Sequence, residues 1–392
     1  MSMPRRRGGA EVCRGVLAWL LATGTVAATA QQGAGMPWLL GQSLPLSGPG
    51  YATAKRVQAG AQAWLARLNA QGGVQGRPVE LLTLDDGGDP QRTAANVRRL
   101  ARDGALAVLN CQGERACGAA AQATREVGLP LLGPYSGALA LRQGDGAQVL
   151  PLRADDGREI DALLHQLQGM AVRQVALLGD GSEPARERLL AERLGHAALL
   201  AVHWSLPQAD ATALVQVQQA LQARQGAGQA PLQALVLCLG WDSLDLLDRE
   251  RFGLAPGVPA VVTSLSTAGL TQLLAVFRNQ MVGFTSVLPN PDISRLPLVL
   301  DLQRDAEAYV GPEALNLDGL AAYLHLRVAT EALARMPRSG PAAGAPAQAF
   351  WQALQGLAGT TVGGWRLNFG PGTPGASGVE IVLRGRDGRL RR

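Results

Sequence analysis

The stretch "VELLTLDDGGDPQRTAANVRRL" (residues 79–100) contains a strand, a turn and a helix in succession. Its first residues are apolar enough for a buried strand, and two glycines separate that strand from Asp89 and Pro90. Asp as an N-cap with Pro at the first helical position is a typical helix start, and Val97 and Leu100 supply an apolar face. The stretch therefore predicts one strand–helix unit of an α/β fold.

Similar units lie on both sides of this one. "WLLGQSLPL" (38–46) reads as a strand, and apolar residues at helical spacing follow it over 51–69. "ALAVLN" (105–110) and "LPLLGPY" (129–135) are the next strands, with a helix predicted over 116–126 between them. This alternation predicts a parallel sheet that is covered by helices on both faces.

The pattern restarts at "RQVALLGD" (173–180), which predicts a second sheet. Its further strands are predicted at "AALLAVHW", "LQALVLCLG" and "VPAVVTS", and its helices over 184–194, 211–224 and 243–250. A chain of 392 residues is long enough for two domains. The tail "VEIVLRGRDGRL" (379–390) predicts a β-hairpin with Asp-Gly at its turn. Because open α/β sheets bind ligands outside the carboxyl ends of their strands, we expect a site between two lobes.

The N-terminus has the pattern of a secretory signal peptide over residues 1–30. A basic segment, "MSMPRRRGGAEVCRG", precedes the apolar run "VLAWLLATGTVA", and "ATA" at 28–30 suits cleavage before Gln31. The apolar run is too short to span a bilayer, so no stable membrane insertion is expected. The pattern predicts a protein that is exported to the periplasm.

Composition and motifs argue against several classes of protein. The net charge of +5 comes without a basic run or an aromatic platform, so nucleic acid is not an expected partner. No cofactor or metal site is predicted, because the four histidines are scattered. Asp85, Asp86 and Asp89 lack the tight loop spacing of a hard-cation site, and Asp89 has a helix-capping role. Ser47 lacks the flanking residues of a hydrolase nucleophile, so an enzyme is not expected.

Three cysteines follow the predicted cleavage point: Cys111, Cys117 and Cys238. In an oxidising compartment Cys111 and Cys117 are close enough in sequence for a disulfide across a strand–helix turn. The alternative is that both are small buried apolar residues. Cys238 lies within the apolar run "ALVLCLG" and is interpreted as a core residue.

Several segments together resemble a known family. "NAQGGVQGR", "DDGGDP" and "VLPNP", with "LPLSGPG" before them and "VGLPLLGPYSGALALR" between them, are similar to the periplasmic branched-chain amino-acid type substrate-binding proteins of ABC importers. The resemblance implies a type I periplasmic-binding-protein fold, with two doubly wound parallel-sheet lobes joined by three crossover strands. Carried onto this chain, lobe I comprises 37–153 and 290–366, and lobe II comprises 154–289 and 367–392. The crossovers fall near Arg153, near 288–291 and near 366–370.

The resemblance also implies which residues bind the ligand. The first contact turn matches Gly113 and Glu114, and the second matches Tyr135, Ser136 and Gly137. Other candidates at strand ends complete the predicted ligand-binding set: Ser47, Arg115, Asp180, Trp241, Ser264 and Ser266, with Asp242 as a further cleft residue.

Two positions depart from the family pattern. Glu114 stands where a hydroxyl would bind a ligand carboxylate, and two like charges 4 Å apart cost about 4 kcal/mol at an effective dielectric constant of 20. At Leu265 or Ser266, where an acid would bind a ligand ammonium, no acid is present. A plain branched-chain amino acid is therefore not the expected ligand.

The sequence thus predicts a non-enzymatic solute-binding protein that closes two lobes over an amino acid, an amide or a related small polar solute. Its expected partner is an ABC-transporter permease, and a monomer is expected. The alternative is a periplasmic receptor subunit that signals ligand occupancy to a partner protein. A secreted hydrolase is a weaker third alternative, since no serine has a supporting base.

Overall fold

The structure, a computed structural model, describes residues 36–142, 148–206, 210–226, 230–250, 252–254, 259–266, 270–337, 346–369, 378–384 and 390–391. The predicted signal peptide lies outside these residues. Within them, the chain forms two mainly parallel sheets with alternating helices, which confirms the predicted fold class.

The first sheet has the strand order β2-β1-β3-β4-β5, and every pair in it is parallel. Its strands are β1 (Trp38–Leu44), β2 (Val79–Asp85), β3 (Val108–Leu109), β4 (Leu131–Leu132) and β5 (Val149–Leu150). The helices between them are α1 (Tyr51–Ala70), α2 (Pro90–Arg102) and α3 (Glu114–Val127). Helix α2 begins as predicted, because the Asp89 side chain accepts a hydrogen bond from the Gln91 N–H at 2.8 Å.

The second sheet begins after α4 (Asp156–Gly169) and contains the parallel strands β6 (Val175–Gly179), β7 (Leu200–Ser205), β8 (Ala234–Cys238), β9 (Val261–Ser264) and β10 (Met281–Ser286). Helices α5 (Pro184–His196), α6 (Ala211–Gly226), α7 (Trp241–Arg249) and α8 (Leu270–Val276) alternate with these strands. Both sheets reverse their direction of strand addition, beside β1 in the first and beside β6 in the second. Such reversals open a crevice at the carboxyl ends of the strands.

The chain returns to the first sheet after β10. Helices α9 (Pro297–Tyr309), α10 (Leu317–Arg335) and α11 (Pro346–Gln355) follow, and α9 and α10 pack against α1. A short antiparallel pair, β11 (Thr361–Val362) and β12 (Trp365–Arg366), comes next. The chain then crosses back, because β13 (Glu380–Arg384) pairs with β10 and β14 (Leu390–Arg391) pairs with β13. This confirms the predicted C-terminal hairpin pairing, whose Asp-Gly turn lies outside the described residues.

Two predicted helix starts were wrong by two residues each, and both lie next to the site. Helix α3 begins at Glu114 rather than at 116, and α7 begins at Trp241 rather than at 243. At α3, Gly113 at φ +80° allows the chain to turn directly from β3 into the helix. Glu114 and Trp241 therefore occupy first helical turns instead of free loops.

Helices α1 and α10 approach most closely at two glycines. A Cβ added at Gly60 would lie 2.0 Å from the Gly319 carbonyl oxygen, whereas one added at Gly118 on α3 would meet nothing within 4 Å. The α1–α10 contact, which belongs to the large hydrophobic core beside the first sheet, therefore depends on a position without a side chain.

We expect Gly60→Ala to lower the free energy of unfolding by about 2 kcal/mol or more, since backbone must move to admit the methyl group. The matched control, Gly118→Ala, should raise it by up to about 1 kcal/mol through helix propensity alone. Urea unfolding followed by circular dichroism measures both variants. Equal effects of the two substitutions would show that the helices are not in close contact at Gly60.

Candidate functional site between the two sheets

A cavity of about 620 Å³ lies between the carboxyl ends of the two sheets. The first sheet contributes the residues that follow each of its strands, for example Pro45 after β1 and Tyr135 after β4. The second sheet contributes the turns after β6 and β8 and the end of β10. A cavity of this size is typical of small-molecule sites. We call the β1–β5 side the first lobe and the β6–β10 side the second lobe.

The turn between β3 and α3 forms much of the first-lobe wall. The structure joins Cys111 and Cys117 in a disulfide with a Cα–Cα distance of 5.1 Å, which ties the end of the strand to the first turn of the helix. Asn110 takes a positive φ of 59°, a conformation that Asn tolerates better than most residues. The two cysteines are fully buried, so they shape this turn without lining the cavity.

Glu114 and Glu183 connect the two lobes at one rim of the cavity. The Glu114 N–H, in the first turn of α3, donates to Glu183 Oε1 at 3.0 Å. In return, the Glu114 carboxylate accepts from the Ala185 N–H, in the first turn of α5, at 3.1 and 3.3 Å. Each helix N-terminus is therefore capped by a carboxylate from the other lobe, an arrangement that suits the free N–H groups and the positive end of the helix dipole.

Arg115 and Trp241 add further contacts across the mouth. The Arg115 guanidinium donates to the Gly181 carbonyl at 3.3 Å, beside the reciprocal caps. At the other rim, the Trp241 indole lies against Gly50 in the turn after β1, since a Cβ added there would be 3.3 Å from Trp241 Nε1. The lobes thus touch on both sides of the cavity that they enclose.

The floor of the cavity on the first lobe is a buried polar network. Tyr135 donates its hydroxyl to the Asp318 carbonyl at 2.6 Å, and its ring meets the His325 ring edge-on. Burial, together with the nearby charge of Arg153, lowers the pKa of His325 to about 3, so its imidazole is neutral. The Asn110 amide donates to Gln42 at 2.8 Å, which leaves its oxygen, 2.6 Å from His325 Nδ1, to accept from the ring. The Tyr135, His325 and Asn110 side chains thus form an uncharged, hydrogen-bonded base.

Two arginines line the cavity, Arg153 at the crossing between the lobes and the buried Arg186 in the second lobe, and each is paired with an acid. Arg153 pairs with Glu159, whose other oxygen accepts from the Ser266 N–H at 2.8 Å and the Thr285 hydroxyl at 2.6 Å. Arg186 pairs with Asp156 at 2.9 Å. Both guanidinium charges are therefore compensated by the protein itself.

The structure brings most of the predicted site residues to the cavity. The predicted residues that line the cavity are Gly113, Glu114, Arg115, Tyr135, Asp180, Trp241, Asp242 and Ser266. Of these, Glu114 and Arg115 direct hydrogen bonds to the opposite lobe. Their part in contacting a ligand stays a prediction.

Four predicted residues do not line the cavity, and each contacts another part of the protein. The Ser47 hydroxyl is exposed and donates to Asp85 at 2.6 Å, and the Ser136 hydroxyl is buried against the Ala138 N–H at 3.2 Å. Gly137 packs against Asp156 at the start of α4, and Ser264 donates to the Leu237 carbonyl at 3.2 Å within the second sheet. Contact of these four residues with a ligand stays a prediction.

Several lining residues were not predicted from the sequence, notably Gln112, Arg153, Glu183, Arg186 and His325. Gln112 and Glu183 lie in strand-end turns, which is where ligand contacts are expected in open α/β sheets. Arg153, Arg186 and His325 reach the cavity from a connection and from helices, where no local pattern marks them. Among the described residues, no group of three His, Cys, Asp or Glu side chains is placed to hold a metal ion.

The periplasmic binding protein family model matches residues 37–373 of this chain. The chain belongs to this family. Its fold is that of the type I periplasmic binding proteins. The solved structures that resemble it include branched-chain amino-acid binding proteins. In the described part of the chain, no helix has both the length and the apolarity needed to cross a membrane.

Solved structures of the same fold are numerous. A substrate-binding periplasmic protein from Ralstonia solanacearum is 26% identical, with a TM-score of 0.74 over 90% of this chain and 99% of its own. A branched-chain amino-acid ABC transporter protein from Thermus thermophilus with bound valine is 17% identical, with a TM-score of 0.74 over 92% and 95%. A fatty acid ABC transporter substrate-binding protein from Thermomonospora curvata is 16% identical, with a TM-score of 0.73 over 90% of each. No curated protein sequence matches this chain.

The reciprocal caps predict a local change on removing the Glu114 carboxylate. In Glu114→Ala, the Ala185 N–H loses its acceptor, so its amide hydrogen should exchange about tenfold faster or more, given the strength of hydrogen bonds to charged groups. Hydrogen exchange followed by NMR measures this amide directly. Glu126→Ala, which removes an exposed carboxylate from the same helix, should leave Ala185 unchanged. Unaltered exchange at Ala185 in Glu114→Ala would rule out the contact between the lobes.

Proposed function

We propose that this protein is an extracytoplasmic solute-binding protein that encloses a small polar ligand between its lobes and presents it to an ABC importer. The lobes comprise residues 37–153 with 290–366, and 154–289 with 367–392. In this proposal the chain is exported to the periplasm after removal of residues 1–30, acts as a monomer, performs no catalysis and contacts a permease in its closed form.

One observation carries the proposal: a 620 Å³ cavity lies where the carboxyl ends of two sheets face each other, and its rims are joined by contacts between lobes. Closure of this kind couples ligand binding to the relative position of the two lobes. A ligand that contacts both walls favours the closed state by the difference between its affinities for the closed and open states. A transporter that recognises only the closed shape would then distinguish loaded from empty protein.

The neighbours support the class of function without defining the ligand. Two of them are named for amino-acid and fatty-acid transport, although these solutes share little beyond a carboxylate and an apolar part. In this chain the cavity walls combine apolar groups, such as Trp241 and Phe284, with charged groups, such as Asp180 and Arg153. That mixture suits a solute with both an apolar body and a polar end.

A thermal-shift screen against amino acids, amides, ureas, aromatic acids and polyamines tests the proposal. A ligand present at 100 times its Kd should stabilise the folded state by about 2.7 kcal/mol, which is a readily measured shift in melting temperature. If no solute in the panel shifts the melting temperature, the proposed function fails.

The rim residues should affect affinity for whichever solute the screen identifies. Glu114→Ala and Arg115→Ala each remove contacts that join the lobes, so we expect each to weaken binding at least about tenfold, equivalent to 1.4 kcal/mol. Titration calorimetry measures the change. Arg125→Ala and Glu126→Ala, exposed positions on the same helix, are the controls. Unchanged affinity in both rim variants would assign these residues to the surface.

A further inference from the structure

The uncompensated charge around the cavity is negative. Asp180, Glu183 and Asp242 line the second-lobe side, and none of them forms an ion pair within the described residues. Two cations of the cavity wall, Arg153 and Arg186, are already paired with Glu159 and Asp156. On the first lobe, the charges of Glu114 and Arg115 offset each other. A ligand that enters this cavity therefore meets three carboxylates that form no ion pair of their own in the described part of the chain. Arg186 and Arg249 only partly offset the burial that raises the pKa of Glu183 and of Asp242.

Glu183 occupies the place that would otherwise attract an anion. A helix N-terminus binds carboxylates through its free N–H groups and its dipole. At α3, Glu183 Oε1 already accepts the Glu114 N–H at 3.0 Å, so the protein supplies its own carboxylate at that point. A ligand carboxylate placed there would meet both Glu183 and Glu114, and like charges at short range repel. The geometry excludes an anion from this end of the cavity.

Gln112 supplies an independent sign that a ligand completes the site. It lines the cavity at 8% exposure, and neither the nitrogen nor the oxygen of its amide has a hydrogen-bond partner in the described structure. Glu183 Oε2 and the Ser182 hydroxyl lack partners in the same way. Buried polar groups in native proteins are nearly always satisfied, so these unpaired atoms, in residues that line one cavity, point to a ligand that brings N–H donors and an acceptor to this wall.

From these contacts we infer that the ligand is a cationic amine or amidine with an apolar body, and that Glu183 and Gln112 determine this specificity. This inference rests on the proposed function. The cation lies against the Glu183 carboxylate, the Gln112 amide hydrogen-bonds the polar end, and the apolar body packs between Trp241 and Tyr135. Cations are attracted to the faces of such aromatic rings as well.

The electrostatics of the empty site agree with a cationic ligand. Burial raises the pKa of Glu183 above its ordinary value, and burial together with Asp245 and Asp180 raises that of Asp242. Both shifts mean that the charged carboxylates are poorly stabilised in the ligand-free protein. A bound cation would supply the missing counter-charge.

The unfavourable burial of the Glu183 charge predicts that the isosteric variant Glu183→Gln changes the stability of the folded protein. The native pKa of Glu183 is raised, so the wild type loses stability as pH rises above 4.5, the ordinary value, and through the raised native value. Glu183→Gln keeps an oxygen acceptor for the Glu114 N–H and has no charge. Its ligand-free melting temperature should equal or exceed that of the wild type, with a difference that grows as pH rises from 4 to about 7. A lower melting temperature at neutral pH would contradict the unpaired carboxylate.

Binding is tested with three probe series, and the members of each series share one apolar group. They are tyramine, L-tyrosine and 4-hydroxyphenylacetate; isopentylamine, L-leucine and 4-methylpentanoate; and benzamidine, benzamide and benzoate. We expect the cation of at least one series to bind at least tenfold tighter than the anion of that series in titration calorimetry. Glu183→Gln and Gln112→Ala should each weaken that binding at least tenfold. Glu192→Gln, an exposed position on α5, should leave it unchanged.

The outcomes separate this inference from the proposed function. If a zwitterion, neutral molecule or anion binds better than the matching cation, the ligand class is wrong while solute binding stands. The same holds if the only binder in the broader thermal-shift panel is not a cation. If neither the series nor the panel contains a binder, both proposals fail. If cations bind equally well to Glu183→Gln and Gln112→Ala, these residues do not determine specificity.

Discussion

The exchange of carboxylates between two helix N-termini is the interaction on which the site depends. Helices α3 and α5 begin on opposite lobes, and each begins with free N–H groups that need an acceptor. Glu114 supplies the acceptor for α5 and Glu183 supplies it for α3, with distances of 3.0 to 3.3 Å. The Glu114 and Ala185 N–H groups therefore find these carboxylate acceptors only when the two lobes are in contact. The same contact places two acids at the edge of the cavity and so defines the charge that a ligand encounters.

The strand order explains why these helix starts face each other. In both sheets the chain adds strands in one direction and then reverses, which places a crevice at the carboxyl ends of neighbouring strands. The turns after β3 and β6 stand at these crevices, and both lead directly into a helix. Trp241, after β8, closes the opposite rim against Gly50. A fold that is common to many solute-binding proteins thus presents a wall chemistry that is specific to this chain.

The sequence predicted the fold well because its signals are local. The start of α2 at Asp89 and Pro90 and the apolar runs of β6, β8 and β9 each depend on a few adjacent residues. The site was only partly predictable, because hydrogen-bond partners are not local. Ser47, Ser136 and Ser264 have suitable hydroxyls at strand ends, but Asp85, the Ala138 N–H and the Leu237 carbonyl engage them. Glu183 contacts a residue 69 positions away, and His325 one 215 positions away, so no spacing rule could connect them.

The central claim is that ligand binding holds the two lobes together across this rim. It is tested most directly by the distance between spin labels at Gln91→Cys and Arg188→Cys, exposed positions on α2 and α5, measured by double electron–electron resonance with and without a bound solute. The account predicts a single short distance, matching this structure, when the solute is bound. Without the solute it predicts a broader distribution in which longer distances accompany the short one. Identical distributions in the two states would contradict closure as the means by which this protein reports its ligand.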